Sequence, residues 1–350
     1  MTRSVTTLLA TFLIAACSTD SAATDEKTLA GAIDAGTFKE ITSVVWAVDG
    51  TIRDEFYFGD GSPDLLNDTR SATKTLASMA IGAAIADGDL AGTDVTAWSL
   101  FTDDAPFRFD SPEKRAITVR DLLTMSSALD CNDNEWESPG NEEHMYPARR
   151  WTFFVLDLPV EDGYARDERG YGPFRYCTAG SFMLGQIVER ATGERVDKYV
   201  KRRLLGPLGI ADVTWPTSPS GEIQTGGGTR LSSRALLAVG ELLRNNGRHG
   251  DATVLPAAWV DEMLTEHVQA NERQHYGYQI WHENFACGDG TVSGWYLAGN
   301  GGNKVVIVDE LDATIVVTAT LYGTRGMHQQ STDIVEQYVL PTLSACGATT

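Results

Sequence analysis

The chain has 350 residues, of which 42% are hydrophobic and 22% are charged, the composition of a globular protein with ample core material. It carries 48 acidic and 28 basic residues, a formal net charge of −20. Such a chain should repel nucleic acid and anionic lipid head groups, so we exclude nucleic acid as a partner. The acidity indicates solubility and predicts no particular substrate.

The first sixteen residues, MTRSVTTLLATFLIAA, predict a secretory signal that is too short to span a bilayer as a stable helix. Together with Cys17 their last letters resemble a bacterial lipobox, in which the cysteine is lipidated. Residues 17–29 are polar and predict a tether. Inner-membrane lipoproteins usually carry Asp after the cysteine. Because Ser18 stands there in this chain, the resemblance favours anchoring in the outer membrane. We therefore expect a periplasmic protein that contacts the membrane only through lipid on Cys17; simple secretion is the alternative.

A β-hairpin and a buried helix are predicted next. The segments ITSVVWAV and TIRDEFYF, joined by Asp49-Gly50, have the pattern of two paired strands. The following run 75–86, TLASMAIGAAIA, is an apolar helix without a polar face, which belongs at the centre of a domain. Ser71 and Lys74 lie three residues apart at its first turn and share one face. Because burial disfavours a charged ammonium, this pair predicts a serine nucleophile with a lysine base.

The Ser-x-x-Lys pattern alone is a weak signal, and it occurs a second time at Ser111–Lys114. There it stands in a charged stretch with Pro112, which indicates a helix cap. A plain N-cap is also the alternative interpretation of Ser71.

The middle of the chain, about 96–203, has a helical and loop-rich pattern that includes VRDLLTMSSAL and a helix closed by Gly193. After a glycine turn at 225–229, an amphipathic helix is predicted up to Gly247. Four segments then have strand character: HYGYQIWH, VSGWYLAG, NKVVIVDE and ATIVVTATLY. A last helix is predicted at about 331–340.

Strands therefore lie at both ends of the chain and helices in the middle. The predicted fold class is α+β, with an antiparallel sheet built from both chain ends, flanked by helices and interrupted by a helical insertion. We expect one domain over 30–346, with an α/β part at about 30–95 and 225–346 and a helical part at about 96–224.

The cysteine and histidine spacings predict no metal centre. No C-x-x-C and no H-E-x-x-H occurs in the sequence, so we expect neither a metal nor another cofactor. Besides Cys17 there are four cysteines, at 131, 177, 287 and 346. An even number in an oxidising compartment suggests disulfides, with three pairings open.

Three ordered motifs carry a family resemblance. SATK at 71–74, YCT at 176–178 and LAGNGGN at 297–303 resemble the motifs of the serine β-lactamase and penicillin-binding-protein superfamily. The branch is that of class C β-lactamases, D-alanyl-D-alanine carboxypeptidases, family VIII esterases and 6-aminohexanoate-dimer hydrolase. The resemblance covers about 30–340 and implies a β-lactamase/transpeptidase-like fold. The G-x-S-x-G elbow of α/β-hydrolases is absent.

The resemblance also implies roles. Ser71 would be the acylated nucleophile and Lys74 its proton acceptor, and Tyr176 would move protons between them and the leaving group. Gly299 would match the glycine of the third motif, and the Asn300 and Ser71 N–H groups would form the oxyanion hole. The alternatives are a packed aromatic for Tyr176 and a plain hairpin turn for Asn300.

Two departures from the family point to the substrate. Thr178 stands where the family usually has asparagine, and Leu297-Ala298 replaces the Lys-Thr or His-x pair whose cation and hydroxyl bind a substrate carboxylate. The resemblance therefore implies a serine hydrolase that cleaves a small-molecule carboxylic ester or simple amide through an acyl-enzyme. A β-lactamase or D,D-peptidase, and an inactive cell-wall binding protein, are the alternatives.

The loop 132–146 is expected to roof the pocket, so that Tyr146 and Thr178 contact the substrate. In this fold the segment that ends at Cys131 and the turn that carries Cys177 both border the active site. The resemblance thus implies a disulfide between these two residues, with a free buried thiol at Cys177 as the alternative.

Overall fold

A computed structural model describes residues 28–343 and Cys346. The expected signal, the lipidation site Cys17 and most of the tether lie outside these residues. The chain divides into two units, the first ending at Thr37 and the second beginning at Phe38. The first contains helix α1 (Leu29–Asp34). No helix within the described residues is long and apolar enough to cross a membrane.

The strands belong to the second unit. In chain order they are β1 (Ile41–Val48), β2 (Thr51–Tyr57), β3 (Asn67–Asp68), β4 (Arg230–Leu231), β5 (Arg248–His249), β6 (Ala252–Thr253), β7 (Val268–Gln269), β8 (His275–Tyr276), β9 (Trp281–Cys287), β10 (Gly290–Gly299), β11 (Asn303–Val308) and β12 (Ala313–Ala319). Over the described part of the chain, eight of them form one antiparallel sheet in the order β2-β1-β12-β11-β10-β9-β8-β7.

The sheet joins the two ends of the described chain because β1 lies beside β12. Val44 of β1 pairs with Val317 of β12, and both side chains are buried. Their β-branched side chains suit a pleated surface that is covered by other elements. The predicted α+β fold, with an antiparallel sheet built from both chain ends, is confirmed.

The longer helices pack around this sheet and against one another. The helices of the second unit are α2 (Lys74–Ala86), α3 (Pro112–Arg115), α4 (Val119–Leu123), α5 (Glu142–Met145), α6 (Trp151–Leu156), α7 (Thr178–Thr192), α8 (Val196–Val200), α9 (Ser233–Arg244), α10 (Ala257–Met263) and α11 (Met327–Ile334). Helix α2 is buried from Lys74 to Ala84 and packs on α7, while α9 covers β1, β11 and β12. The apolar run thus forms the central helix, as its composition predicts.

Within VRDLLTMSSAL helix α4 covers the first five residues, and Met125 beyond it has a φ of 54°, which a right-handed helix cannot contain. One helix boundary differs from the expectation. Helix α11 begins at Met327, four residues before the predicted start. The predicted end of α7 is confirmed: Gly193 follows it with a φ of 70°, in the left-handed region where glycine is favoured.

Candidate active site

Ser71 lies in a 3₁₀ turn, Arg70–Thr73, that runs directly into α2. Arg70 has a φ of 49°, a conformation that costs a non-glycine residue energy. Two hydrogen bonds hold it there: its N–H donates to Asp68 Oδ1 at 3.1 Å, and its carbonyl accepts from the Gly228 N–H at 3.1 Å. The turn that presents Ser71 is therefore fixed by one local hydrogen bond, to Asp68, and by one long-range hydrogen bond, from Gly228.

Lys74 is the first residue of α2, and its side chain is only 2% exposed. Its Nζ lies 3.0 Å from Ser71 Oγ, and it also contacts Thr178 Oγ1 at 2.8 Å and the Gly226 carbonyl oxygen. A carbonyl only accepts hydrogen bonds, and a hydroxyl can accept them. A neutral amine can therefore donate to Gly226 and Thr178 and direct its lone pair at the Ser71 hydroxyl. This is the arrangement that a proton acceptor needs.

Tyr176 packs beside this pair. Its ring centroid lies 5.0 Å from Lys74 Nζ, and the ring stacks on Trp281 with centroids 5.7 Å apart. Among the described residues its phenol oxygen makes no hydrogen bond to Ser71 or Lys74. Both Tyr176 and Ser71 line one cavity of about 790 Å³. The structure thus brings the three predicted residues together, with the Tyr176 ring against the lysine and its hydroxyl short of hydrogen-bond contact.

Asp133 connects the loop that follows Cys131 to the Tyr176 segment. Its N–H donates to the Tyr176 carbonyl at 2.8 Å, and its carboxylate accepts from the Thr178 N–H at 2.7 Å. Burial raises the pKa of the Asp133 carboxyl, and the nearby Glu142 carboxylate raises it further. Nothing in the sequence singles out Asp133 from its polar loop, because the two partners that link it to the Tyr176 segment lie more than 40 positions away.

A disulfide joins the same two segments, since Cys131 is bonded to Cys177. A second disulfide joins Cys287 to Cys346. The Cys177 side chain also caps α7 by accepting from the Gly180 N–H. A covalent link at Cys131 and a hydrogen bond at Asp133 therefore both hold the beginning of the loop 132–146 against the start of α7.

Gly299, the last residue of β10, allows this strand to touch the turn that carries Ser71. A Cβ at this position would lie 2.0 Å from the Thr69 carbonyl oxygen and 3.3 Å from the Ala72 nitrogen. Glycine is therefore required by the close approach of two backbones. The next residue, Asn300, lines the cavity together with Ser71, and its side-chain oxygen accepts from the Gly323 N–H at 2.7 Å.

Gly299→Ala is expected to push β10 and the Ser71 turn apart. A displacement of about 1 Å can lower catalysis about 100-fold, and overpacking typically costs about 1–3 kcal/mol of stability. We expect turnover by the predicted nucleophile Ser71 to fall by about that factor and the melting temperature to drop. Gly290→Ala is the matched control on the same strand, because the nearest atom to its Cβ would be 3.9 Å away. Wild-type kcat and melting temperature in Gly299→Ala would contradict the packing argument.

Neither of the two residues predicted to touch substrate, Thr178 and Tyr146, lines the cavity. Thr178 is fully buried behind the cavity wall, where its hydroxyl contacts Lys74. Tyr146 is not among the residues that line the cavity; its hydroxyl donates to the Glu142 carboxylate at 2.6 Å, and Glu142 does line it. Tyr146 thus reaches the cavity through Glu142, whereas Thr178 contacts Lys74, which is not among the residues that line the cavity.

A buried lysine on the neighbouring strand also reaches the cavity. Lys304 of β11 pairs with Ala298 of β10, and both line the cavity. Its Nζ lies 3.5 Å from Glu283 Oε1 and donates to Thr332 Oγ1. Burial lowers the pKa of Lys304, and the Glu283 carboxylate opposes this. The only sequence signal is a lone charge in the otherwise apolar strand NKVVIV.

Neither residue before Gly299 in the third motif offers the cavity a cation or a hydroxyl, but a cation lies on the neighbouring strand. Leu297 is buried in the hydrophobic core, and Ala298 offers the cavity only a methyl group. A cation does stand across from Ala298, but Glu283 already balances its charge. It is therefore not a free replacement for the cation that the family carries at this motif.

Comparisons with known proteins identify the family. The Beta-lactamase family model matches residues 43–338. The chain is 26% identical over 217 residues to 6-aminohexanoate-dimer hydrolase of Paenarthrobacter ureafaciens, covering 60% of this chain and 53% of that protein. It is 27% identical over 261 residues to lovastatin esterase of Penicillium rubens, covering 60% of this chain and 62% of that protein. The chain thus spans between half and two thirds of the length of these relatives.

A solved structure has the same fold. The putative 6-aminohexanoate-dimer hydrolase from Bacillus anthracis superimposes with a TM-score of 0.69 at 15% identity, covering 89% of this chain and 83% of that one. At this identity the likeness concerns the fold alone. The family match, by contrast, spans most of the chain and includes all three motifs. The chain belongs to the Beta-lactamase family.

Proposed function

We propose that the protein is a serine hydrolase that cleaves a carboxylic ester or simple amide through an acyl-enzyme on Ser71. The observation that carries this proposal is the 3.0 Å contact between the buried Lys74 Nζ and the Oγ of Ser71, a residue that lines the cavity. Lys74 takes the Ser71 proton as the hydroxyl attacks the substrate carbonyl. The N–H groups of Ser71 and Asn300 stabilise the oxyanion, and water then releases the acyl group.

Tyr176 is proposed to return the proton to the leaving group. Its ring lies beside Lys74, and Tyr176 lines the same cavity as Ser71. Catalytic hydrogen bonds are often long in the absence of substrate and tighten when it binds. The stacked Trp281 and the Asp133 contact to the Tyr176 carbonyl limit how far the ring can move.

The substrate class follows from the third motif. Recognition of a β-lactam or peptide carboxylate calls for a free cation and a hydroxyl, and Leu297-Ala298 supplies neither. Lys304 is engaged by Glu283 and Thr332. The names of the two relatives, a dimer hydrolase and an esterase, also support ester or amide substrates over penicillins.

Labelling with two probes tests the proposal. A fluorescent fluorophosphonate should label the wild-type protein covalently, whereas a fluorescent penicillin should not. A series of p-nitrophenyl esters should be hydrolysed faster than nitrocefin or D-alanyl-D-alanine peptides. Penicillin labelling with nitrocefin turnover would instead support a β-lactamase or D,D-peptidase. Failure of both labels in folded protein would support an inactive binding protein and refute the hydrolase.

A further inference from the structure

Three side chains outside the active site lie close together at the edge of the sheet, on the face that points away from the cavity. His275 of β8 is paired with His282 of β9, and Glu266 lies just before β7. Successive side chains of a strand point to opposite faces of the sheet. Because Gln274 and Trp281 line the cavity, His275 and His282 face away from it.

The distances within this group fit a small cation. Glu266 Oε1 lies 2.7 Å from His282 Nδ1 and 3.5 Å from His275 Nδ1, and the three donor atoms all lie within 4.8 Å of one another. Donor atoms bound tetrahedrally to Zn²⁺ at about 2 Å are separated by about 3.3 Å. The Glu266–His275 separation is already close to this value, and the other separations differ from it by at most about 1.5 Å, which rotation of the side chains can close.

The orientation of His282 supports the same conclusion. Its Nε2 lies 2.6 Å from Ser293 Oγ, and its ring packs on Trp295 with centroids 4.6 Å apart. A histidine that binds a metal usually donates its other ring N–H to a fixed acceptor. When Nε2–H donates to Ser293, Nδ1 carries the free lone pair and points toward the Glu266 carboxylate. A cation between these two acceptors would then satisfy both.

We propose that Glu266, His275 and His282 form a Zn²⁺ site, with a water molecule as the fourth ligand. Two imidazoles and one carboxylate are a donor set that Zn²⁺ accepts readily. In the described part of the chain these are the only three His, Cys, Asp or Glu side chains that come together in this way. No sequence motif reveals them, because strand pairing and not local spacing brings them together.

The consequence of binding is structural. The ion would link β8, β9 and the segment before β7 at one edge of the sheet, where β7 and β8 are only two residues long. The loop between β7 and β8 includes Ala270 and Gln274, which line the cavity. Zinc would therefore stabilise the strands and the loop that form this wall of the cavity. It would take no part in the reaction at Ser71.

The test is a metal titration of the full chain after treatment with a chelator. Calorimetry with ZnCl₂ should give one ion per chain, and Co²⁺ should produce the visible absorption bands of a tetrahedral site. Each of Glu266→Gln, His275→Ala and His282→Ala should weaken binding by about 100-fold, and Ser293→Ala by about 10-fold. His249→Ala removes an exposed histidine of another hairpin and should leave the affinity unchanged.

Thermal unfolding provides an independent readout, because a ligand that binds only the folded state raises the melting temperature. Zn²⁺ should raise it for the wild type and for His249→Ala, and should leave the His275→Ala/His282→Ala double variant unchanged. All variants should melt cooperatively without zinc. Absence of saturable binding to the wild type, equal affinity in the double variant, or an equal loss in His249→Ala would overturn the proposal.

Discussion

Ser71→Ala is expected to reduce ester hydrolysis to background and to abolish fluorophosphonate labelling. Loss of a serine nucleophile that acts with its base typically lowers kcat on the order of a million-fold. The fold should persist, because the substitution removes one hydroxyl and its contact to Lys74, worth about 1 kcal/mol. Rates should be measured with a p-nitrophenyl ester, and folding by circular dichroism.

The second Ser-x-x-Lys copy provides the matched control. Ser111 caps α3, where its hydroxyl accepts from the Lys114 N–H at 3.2 Å. Ser111→Ala should cost about 1 kcal/mol of stability and leave kcat unchanged. Substantial turnover in Ser71→Ala, or an equal loss in Ser111→Ala, would end the assignment of Ser71 as the nucleophile.

Lys74→Met should lower kcat by about 100- to 10,000-fold while Ser71 stays in place, since general-base catalysis contributes on this order. Methionine fills most of the lysine volume but cannot take the Ser71 proton. Fluorophosphonate labelling should become slower by a similar factor and still occur at Ser71. Stopped-flow labelling and steady-state kinetics measure the two effects separately.

Lys114→Met is the control for Lys74, because it replaces the lysine of the other copy. Lys114 is also buried, and its Nζ donates to the Arg108 carbonyl at 2.9 Å. Lys74 Nζ likewise contacts a backbone carbonyl, that of Gly226. Burial lowers the pKa of Lys114 to about 8. Its loss should affect stability alone. If both variants lose activity equally, or if Lys74→Met keeps wild-type kcat, the base is not Lys74.

The features that local sequence could predict are those set by short-range geometry. Ser71 and Lys74 meet because residues three apart share a helical face, and the β1–β2 hairpin follows from its turn and alternation. The apolar run of α2 could only be buried. These patterns need no knowledge of the rest of the molecule.

The missed features depend on pairing between distant segments. Lys304 reaches the cavity only because β11 pairs with β10 in a register that sets it across from Ala298. Asp133 links its loop to α7 because its carboxylate accepts from the distant Thr178 N–H. Arg70 is held at its positive φ in part by a hydrogen bond from the N–H of Gly228, which is also distant in the sequence. A shift of one residue in strand register would reverse which side chains face the cavity. Sequence patterns do not specify such registers, so these residues could not be selected.

The hydrogen bonds of Lys74 have a consequence for practical work with this protein. Its amine is held by Ser71, by Thr178 at the start of α7 and by the Gly226 carbonyl, three segments that are far apart in the chain. Contacts of such long range form only when the intervening chain has folded. A partly folded or misassembled molecule therefore has no competent nucleophile. Counting the molecules that react with an acylating probe would measure the natively folded fraction of a preparation more stringently than total protein or helix content.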